Sequence, residues 1–202
     1  MSDSVVVLDD ALPYETVDHI LSLVPPADEW VWGGGSETGE GEGRTGRSKV
    51  YCPWGRVPAI FPRILDTAAV AREALGAKQN FLYLDHGYAG FFQMQDGQSL
   101  SPHVDKTVSA IQWHERTHNC LLFLTTPMSG GGELELYDND GPTHLVTPRK
   151  NRLVIFEMGP ESWHGVRPVV GMRRLALAFN LARPLEEGEV PAVQSMKWWV
   201  DR

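Results

Sequence analysis

His103, Val104 and Asp105 stand together, and His164 and Arg174 follow much later in the chain. Two imidazoles and one carboxylate form a ligand set that holds a non-haem Fe(II) on one face and leaves its other coordination positions open to substrate and oxygen. In an extended segment, residues two apart project to the same side while the residue between them points away. One strand edge therefore supplies both His103 and Asp105. A histidine from a distant strand, His164, closes the triad, and a cationic side chain beyond it would anchor an anionic co-substrate.

Periodicity decides which of two adjacent arginines that cation is. From Arg173 to Leu181 the large apolar residues fall at Leu175, Leu177, Phe179 and Leu181, whereas Ala176 and Ala178 occupy the alternate face. Arg174 shares the small-residue face, which leaves room for a ligand, and its guanidinium is shaped to take a carboxylate through two parallel hydrogen bonds. Arg173 falls on the greasy face and is expected to be a strand-end residue whose head reaches water.

The elements that must position these groups are short and β-type after Gln79. Runs at 81–84, 91–95, 120–125, 133–137, 144–147, 153–156 and 174–181, separated by Gly and Pro turns, predict a mainly β fold with flanking helices: a barrel or two-sheet jelly roll. Two helices come first. Pro13 to Val24 carries apolar residues at helical spacing and is stopped by Pro25-Pro26, and a second helix starts near Pro58 and ends at Gly76. They are expected to cover the sheet face on which Leu175, Leu177 and Phe179 need burial. The Gly- and Glu-rich stretch from Gly33 to Gly46 reads as a flexible loop, a lid flanked by Trp30, Trp32, Tyr51 and Trp54. We expect one domain over 1–202: helical support to about 78, the jelly roll over about 79–184, and a C-terminal strap over 185–202. That strap would pack on its own domain through Trp198 and Trp199, or meet a second subunit and so support an oligomer.

Other residues compete for functional roles. His114, Glu115 and His118 would suit zinc on a helix, but no helical pattern surrounds them, so 113–119 is read as a loop bordering the pocket before a strand at Cys120. His144 is a weaker candidate to line the cavity. Trp54, Trp113 and Trp163 are candidate walls of a substrate pocket, against the alternative that they are plain core residues. Arg47, in a basic cluster with Arg44, Lys49 and Arg56, would either grip an acidic group on a substrate or lie in a solvated loop of mixed charge.

The chain has 202 residues, 42% hydrophobic and 22% charged, with a formal net charge of −8. That charge disfavours binding to a polyanion, so nucleic acid is not an expected partner. No signal-like or membrane-spanning stretch is evident, and a cytoplasmic protein is expected. Cys52 and Cys120 are the two cysteines, and Cys120 lies in an apolar run that suits a buried thiol.

Several phrases together resemble the prolyl-4-hydroxylase-like branch of the Fe(II)/2-oxoglutarate-dependent oxygenases. They are Gly97 through Pro102-His103-Val104-Asp105-Lys106, Asn119 through Thr125, Gly131-Gly132-Glu133-Leu134-Glu135-Leu136-Tyr137, Pro148 through Phe156, and Trp163-His164-Gly165-Val166-Arg167-Pro168-Val169. The opening 5–12 is similar as well, so the resemblance spans roughly 5–184. It implies a double-stranded β-helix, a cupin-like jelly roll. It also implies Fe(II) on His103, Asp105 and His164, 2-oxoglutarate anchored by Arg174, O2 as the oxidant, and ascorbate as an accessory reductant. The expected reaction hydroxylates an unactivated C–H bond of a prolyl or peptidyl, free amino-acid or small natural-product substrate, releasing succinate and CO2. Asp105 favours hydroxylation, since related halogenases lack this carboxylate, although desaturation or ring formation can use the same triad. Where such proteins carry tyrosines near the co-substrate this chain has Met94 and Phe123, which leaves Thr125, Gln93, Gln95 and Asn180 as polar candidates for the remaining contacts. The rival expectation is a cupin-like isomerase or ligand-binding module that does not use 2-oxoglutarate; against it, the His-x-His of a cupin motif is absent.

Overall fold

The structure is a computed structural model describing residues 5–26, 31–33, 47–51, 58–76, 83–127, 130–138, 141–171, 173–195 and 197–198. In chain order the elements are β1 (Val5–Leu8), α1 (Tyr14–Ser22), β2 (Val31–Gly33), β3 (Arg47–Tyr51), a 3-10 turn (Pro58–Ile60), α2 (Phe61–Leu75), β4 (Tyr83–Met94), β5 (Leu100–Val104), β6 (His114–Phe123), β7 (Leu134–Asp138), β8 (Gly141–Val146), β9 (Arg152–Glu157), β10 (His164–Val166), β11 (Arg174–Pro184) and β12 (Lys197–Trp198). The strands form two antiparallel sheets, ordered β1-β9-β6-β11-β4-β3-β2 and β12-β5-β10-β7-β8. This is the jelly roll that the strand pattern predicts.

Alternation along the central strands builds two cores. Leu153 and Ile155 of β9, with Leu175, Leu177, Phe179 and Leu181 of β11, pack against Val17 and Ile20 of α1 and Ile64, Ala68 and Ala71 of α2. Val154 and Phe156, in the other phase, meet Phe123, Ala176, Leu134 and Leu136 between the sheets. The larger sheet is thus covered on both faces, by helices outside and by the second sheet inside, which is why its strands read as nearly continuous apolar runs. Both helices fall where the sequence placed them: α1 follows Pro13, and α2 carries Pro62 in its first turn and ends at Gly76, whose φ of 86° suits glycine. Cys120 is fully buried in the helix-facing core, and burial pushes its thiol up, out of the reactive range.

Two expectations need correction. Residues 114–119 are not a loop but the first half of β6, paired with β11 out to Pro184; a register shift between Leu181 and Ala182 lets the pairing run past the apolar part of both strands. Similarly, 83–94 is one strand and not two separate runs, because a bulge opposite Ala178–Asn180 takes up the extra residues between Asp85 and Gly90.

The C-terminal segment lies along its own chain. Val193 exchanges hydrogen bonds with Thr107, and Lys197–Trp198 pairs with Val104 and His103 of β5. Arg183 links this segment to β6 by binding both Glu189 and Glu115, which holds the Glu189 carboxyl down to about 2. The side chains of Trp198 and Trp199 lie outside the described residues. So do 34–46, the bulk of the expected lid, along with Arg44, Trp54 and Arg56; Arg47 and Lys49 are described only as backbone of β3.

Candidate metal centre and active site

The sheet register brings the triad together. β5 and β10 are antiparallel neighbours in which His103 and His164 stand opposite each other, and Asp105 follows immediately after β5. The imidazole centroids are 4.3 Å apart. One ligand atom from each of His103, Asp105 and His164 lies within 4.8 Å of the others. Each Nε2 is 3.6 Å from an Asp105 oxygen, too far for a hydrogen bond, so the three groups converge on a common point without bonding to one another.

Both rings are held by the same local device. Nδ1–H of His103 donates to the Ser101 carbonyl, and that of His164 to the Ser162 carbonyl, each at 3.0 Å. These bonds fix the tautomer that leaves the Nε2 lone pairs aimed inward, the arrangement that metal-ligating histidines use. Two neutral imidazoles and a carboxylate fit a divalent metal such as Fe(II). Asp105 is steadied in turn by Asn119, whose Nδ2 donates to Oδ2 at 3.2 Å.

Gly165 permits the approach of the two strands. A Cβ there would come within 2.9 Å of the Leu100 carbonyl and 3.2 Å of the Pro102 nitrogen. Gly165→Ala is expected to force β5 from β10, at a cost of about 1–3 kcal/mol by overpacking, and to weaken metal binding by parting His103 from His164. Thermal unfolding and Fe(II) titration of the variant check both effects.

Arg174 lies where periodicity puts it, buried on the inner face beside Ala176, while Arg173 is exposed. Its Nε donates to the Gly132 carbonyl at 2.8 Å and its guanidinium carbon lies 4.9 Å from the centre of the Phe123 ring. Nη1 is 4.0 Å from the Met94 sulfur. Met94 and Phe123, the two departures from the tyrosine pattern, therefore both line this cation. Gly132, at φ 71°, makes the space: a Cβ would stand 3.1 Å from Arg174 Cδ.

The polar candidates divide. Thr125 Oγ1 accepts the Leu175 amide at 2.9 Å. Gln93 pairs with Leu175 on the helix-facing phase, away from Arg174, and Gln95 is exposed. Asn180 is buried and bound to Asn119 and Arg116. A cavity of about 660 Å³ has Leu136, His144, Phe156, Met158 and Trp163 in its wall, and its lining does not include the triad or Arg174. It abuts the centre through Phe156, whose ring is 5.0 Å from that of His164. Trp113 does not line this cavity; it stands at the tip of the connection before β6, at φ 62° and 73% exposed. Sequence reasoning missed Asn119 and Arg116, although Asn119 is in phase with the inward-facing Leu121 and Phe123.

His118 sits half-buried in β6, not on a zinc-binding helix, and burial lowers its pKa from 6.5 to about 4. The unfolded chain takes up this proton at pH 6.5, but the folded chain resists it until about pH 4. Stability is then full above 6.5 and falls as pH drops toward 4. His118→Gln is expected to flatten that slope, as urea unfolding midpoints across the window would show.

The fold is a two-sheet jelly roll, and His103, Asp105 and His164 form a cluster that could hold a single metal ion. Residues 89–182, which carry the triad and Arg174, match the family model described as the 2OG-Fe(II) oxygenase superfamily. Solved structures share the fold. A prolyl-4-hydroxylase from Pseudomonas putida is 20% identical with a TM-score of 0.65, covering 89% of this chain and 92% of its own. A 2OG-Fe(II) oxygenase family oxidoreductase from Burkholderia pseudomallei is 14% identical at a TM-score of 0.66, covering 90% and 87%. A prolyl hydroxylase in complex with a hypoxia inducible factor oxygen degradation domain peptide fragment, from Trichoplax adhaerens, is 14% identical at 0.63, covering 89% and 84%. No curated protein matches the chain in sequence at a significant level. Among the described residues, no helix is long and apolar enough to cross a membrane.

Proposed function

We propose that this protein is a hydroxylase in which His103, Asp105 and His164 hold Fe(II), Arg174 anchors the distal carboxylate of 2-oxoglutarate, and the adjoining cavity receives the substrate. The observation that carries this reading is the convergence of two tautomer-fixed imidazoles and one carboxylate beside a buried arginine. Iron, when bound with 2-oxoglutarate and O2, supplies the oxidising power that converts C–H to C–OH, with succinate and CO2 as co-products and ascorbate as an accessory reductant.

The chain's own share is positional. The carbonyls of Ser101 and Ser162 each hold the Nδ1–H of an imidazole, so that Nε2 is the nitrogen presented to a metal. Arg174, lying over Phe123 in a buried setting, offers a cation where solvent does little to weaken a carboxylate contact. Phe156 and Leu136 wall the approach with apolar surface and exclude water from the reacting centre. Trp163 gives the cavity an aromatic face suited to a proline ring or another compact apolar group.

The substrate class is a prolyl peptide, a free amino acid or a small natural product, and the peptide-bound relative supports the first. Succinate release screened across prolyl peptides, proline and other free amino acids, with mass detection of a product heavier by one oxygen, tests this. Succinate formed in step with hydroxylated product supports the proposal. Iron-loaded protein that consumes no 2-oxoglutarate with any of these would overturn it.

A further inference from the structure

The larger sheet carries three polar side chains that the proposed chemistry does not use directly, and they are joined end to end. Arg116, Asn119 and Asn180 lie on β6 and β11, and Arg116 and Asn180 are 4% exposed. Arg116 Nη1 donates to Asn180 Oδ1 at 3.1 Å. Asn180 Nδ2 donates to Asn119 Oδ1 in a short contact, and Asn119 Nδ2 donates to Asp105 Oδ2 at 3.2 Å. Arg116 Nη2 also donates to the carbonyl of Lys106, the residue after Asp105. The chain of bonds thus leaves and re-enters the same two-residue segment.

Every bond runs the same way. The cationic end is Arg116, the anionic end is Asp105, and the two amides between them are oriented with N–H toward the carboxylate and C=O toward the guanidinium. Aligned amide dipoles polarise one another and strengthen the terminal bond. An amide has one orientation compatible with both neighbours, so flipping either asparagine would set like poles against each other.

We infer that Asn119 and Asn180, polarised by Arg116, are positioning residues that fix the Asp105 carboxylate for metal binding. Asn119 occupies Oδ2, which sets the plane of the carboxylate, so that Asp105 is presented to the metal in one orientation. Asn180 acts only through Asn119, and its amide is committed to this relay instead of to 2-oxoglutarate. Met158, whose sulfur is 3.6 Å from Asn180 Nδ2 and which lines the cavity, places the far side of the relay against the substrate space. This inference rests on the triad being the metal site.

The test is anaerobic Fe(II) titration of the full chain, read by affinity and by the visible absorption of the Fe(II)–2-oxoglutarate complex, with no substrate required. Asn119→Leu is expected to lower Fe(II) affinity about 10–100-fold, the usual effect of removing an outer partner of a metal ligand, and to shift the absorption band. Asn180→Leu should act in the same direction but more weakly. The double variant should be no worse than Asn119→Leu alone, because the relay is already cut. Asn119→Ser, smaller and polar, must show the same loss if the leucine variant does not fold. Wild-type affinity and band in a folded Asn119 variant, or additive losses in the double variant, would overturn the relay. His103→Ala in the same series separates the two ideas: if it too retains wild-type Fe(II) affinity, the triad assignment fails along with the relay.

Discussion

Alanine at His103, Asp105 or His164 is expected to lower Fe(II) affinity by more than about 100-fold in each case, a larger loss than an outer partner causes, and to end 2-oxoglutarate turnover. Each side chain supplies one of three ligand atoms that lie within 4.8 Å of one another. Removing one leaves two donors and no geometric preference for an octahedral metal with open positions. The fold should tolerate the loss, since the triad belongs to neither main apolar core. His114→Ala and His118→Ala serve as controls and should retain metal, because their rings bond to the Gln112 carbonyl and the Thr117 hydroxyl in β6 and stand outside the cluster. Equilibrium titration with Fe(II) under anaerobic conditions checks all five variants.

Arg174→Leu is expected to raise the 2-oxoglutarate requirement at least about 30-fold, which corresponds to the loss of 2 kcal/mol or more that follows when a buried carboxylate loses its cation. Fe(II) affinity should stay near that of the wild type. Arg173→Leu, on an exposed side chain, should leave the requirement unchanged. The contrast between the two variants matters because adjacent residues on a strand face opposite sides of the sheet, so one of them alone reaches the centre. Steady-state KM for 2-oxoglutarate in the two variants is the check, and a larger effect at Arg173 would reverse the strand-face assignment.

The parts of the fold that the sequence made legible are those where one force dominates. Alternation of large and small residues along β11 placed Leu175 outward and Arg174 inward because the sheet buries one face under helices and the other under a second sheet. The pairing of His103 with Asp105 was legible from strand geometry alone. What was missed was polar. Residues 114–119 look like loop because they carry charge, yet Glu115 and Arg183 neutralise each other across the strands and Arg116 is satisfied by Asn180 and the Lys106 carbonyl. Such cross-strand satisfaction cannot be read from one segment at a time. Asn119 and Asn180 did leave a signal, since each is in phase with inward-facing neighbours, Phe123 in one strand and Arg174 in the other. A polar side chain at an interior position needs partners, and here the chain of partners ends at Asp105.

The central claim is that one centre binds Fe(II) through the triad and 2-oxoglutarate through the metal and Arg174. Its most direct test is the anaerobic visible spectrum of the protein with Fe(II) before and after 2-oxoglutarate is added. A metal-to-ligand charge-transfer band that saturates at one equivalent of each, disappears in His164→Ala and requires far more 2-oxoglutarate in Arg174→Leu is the predicted result. Protein that binds Fe(II) tightly yet shows no band at saturating 2-oxoglutarate would contradict it.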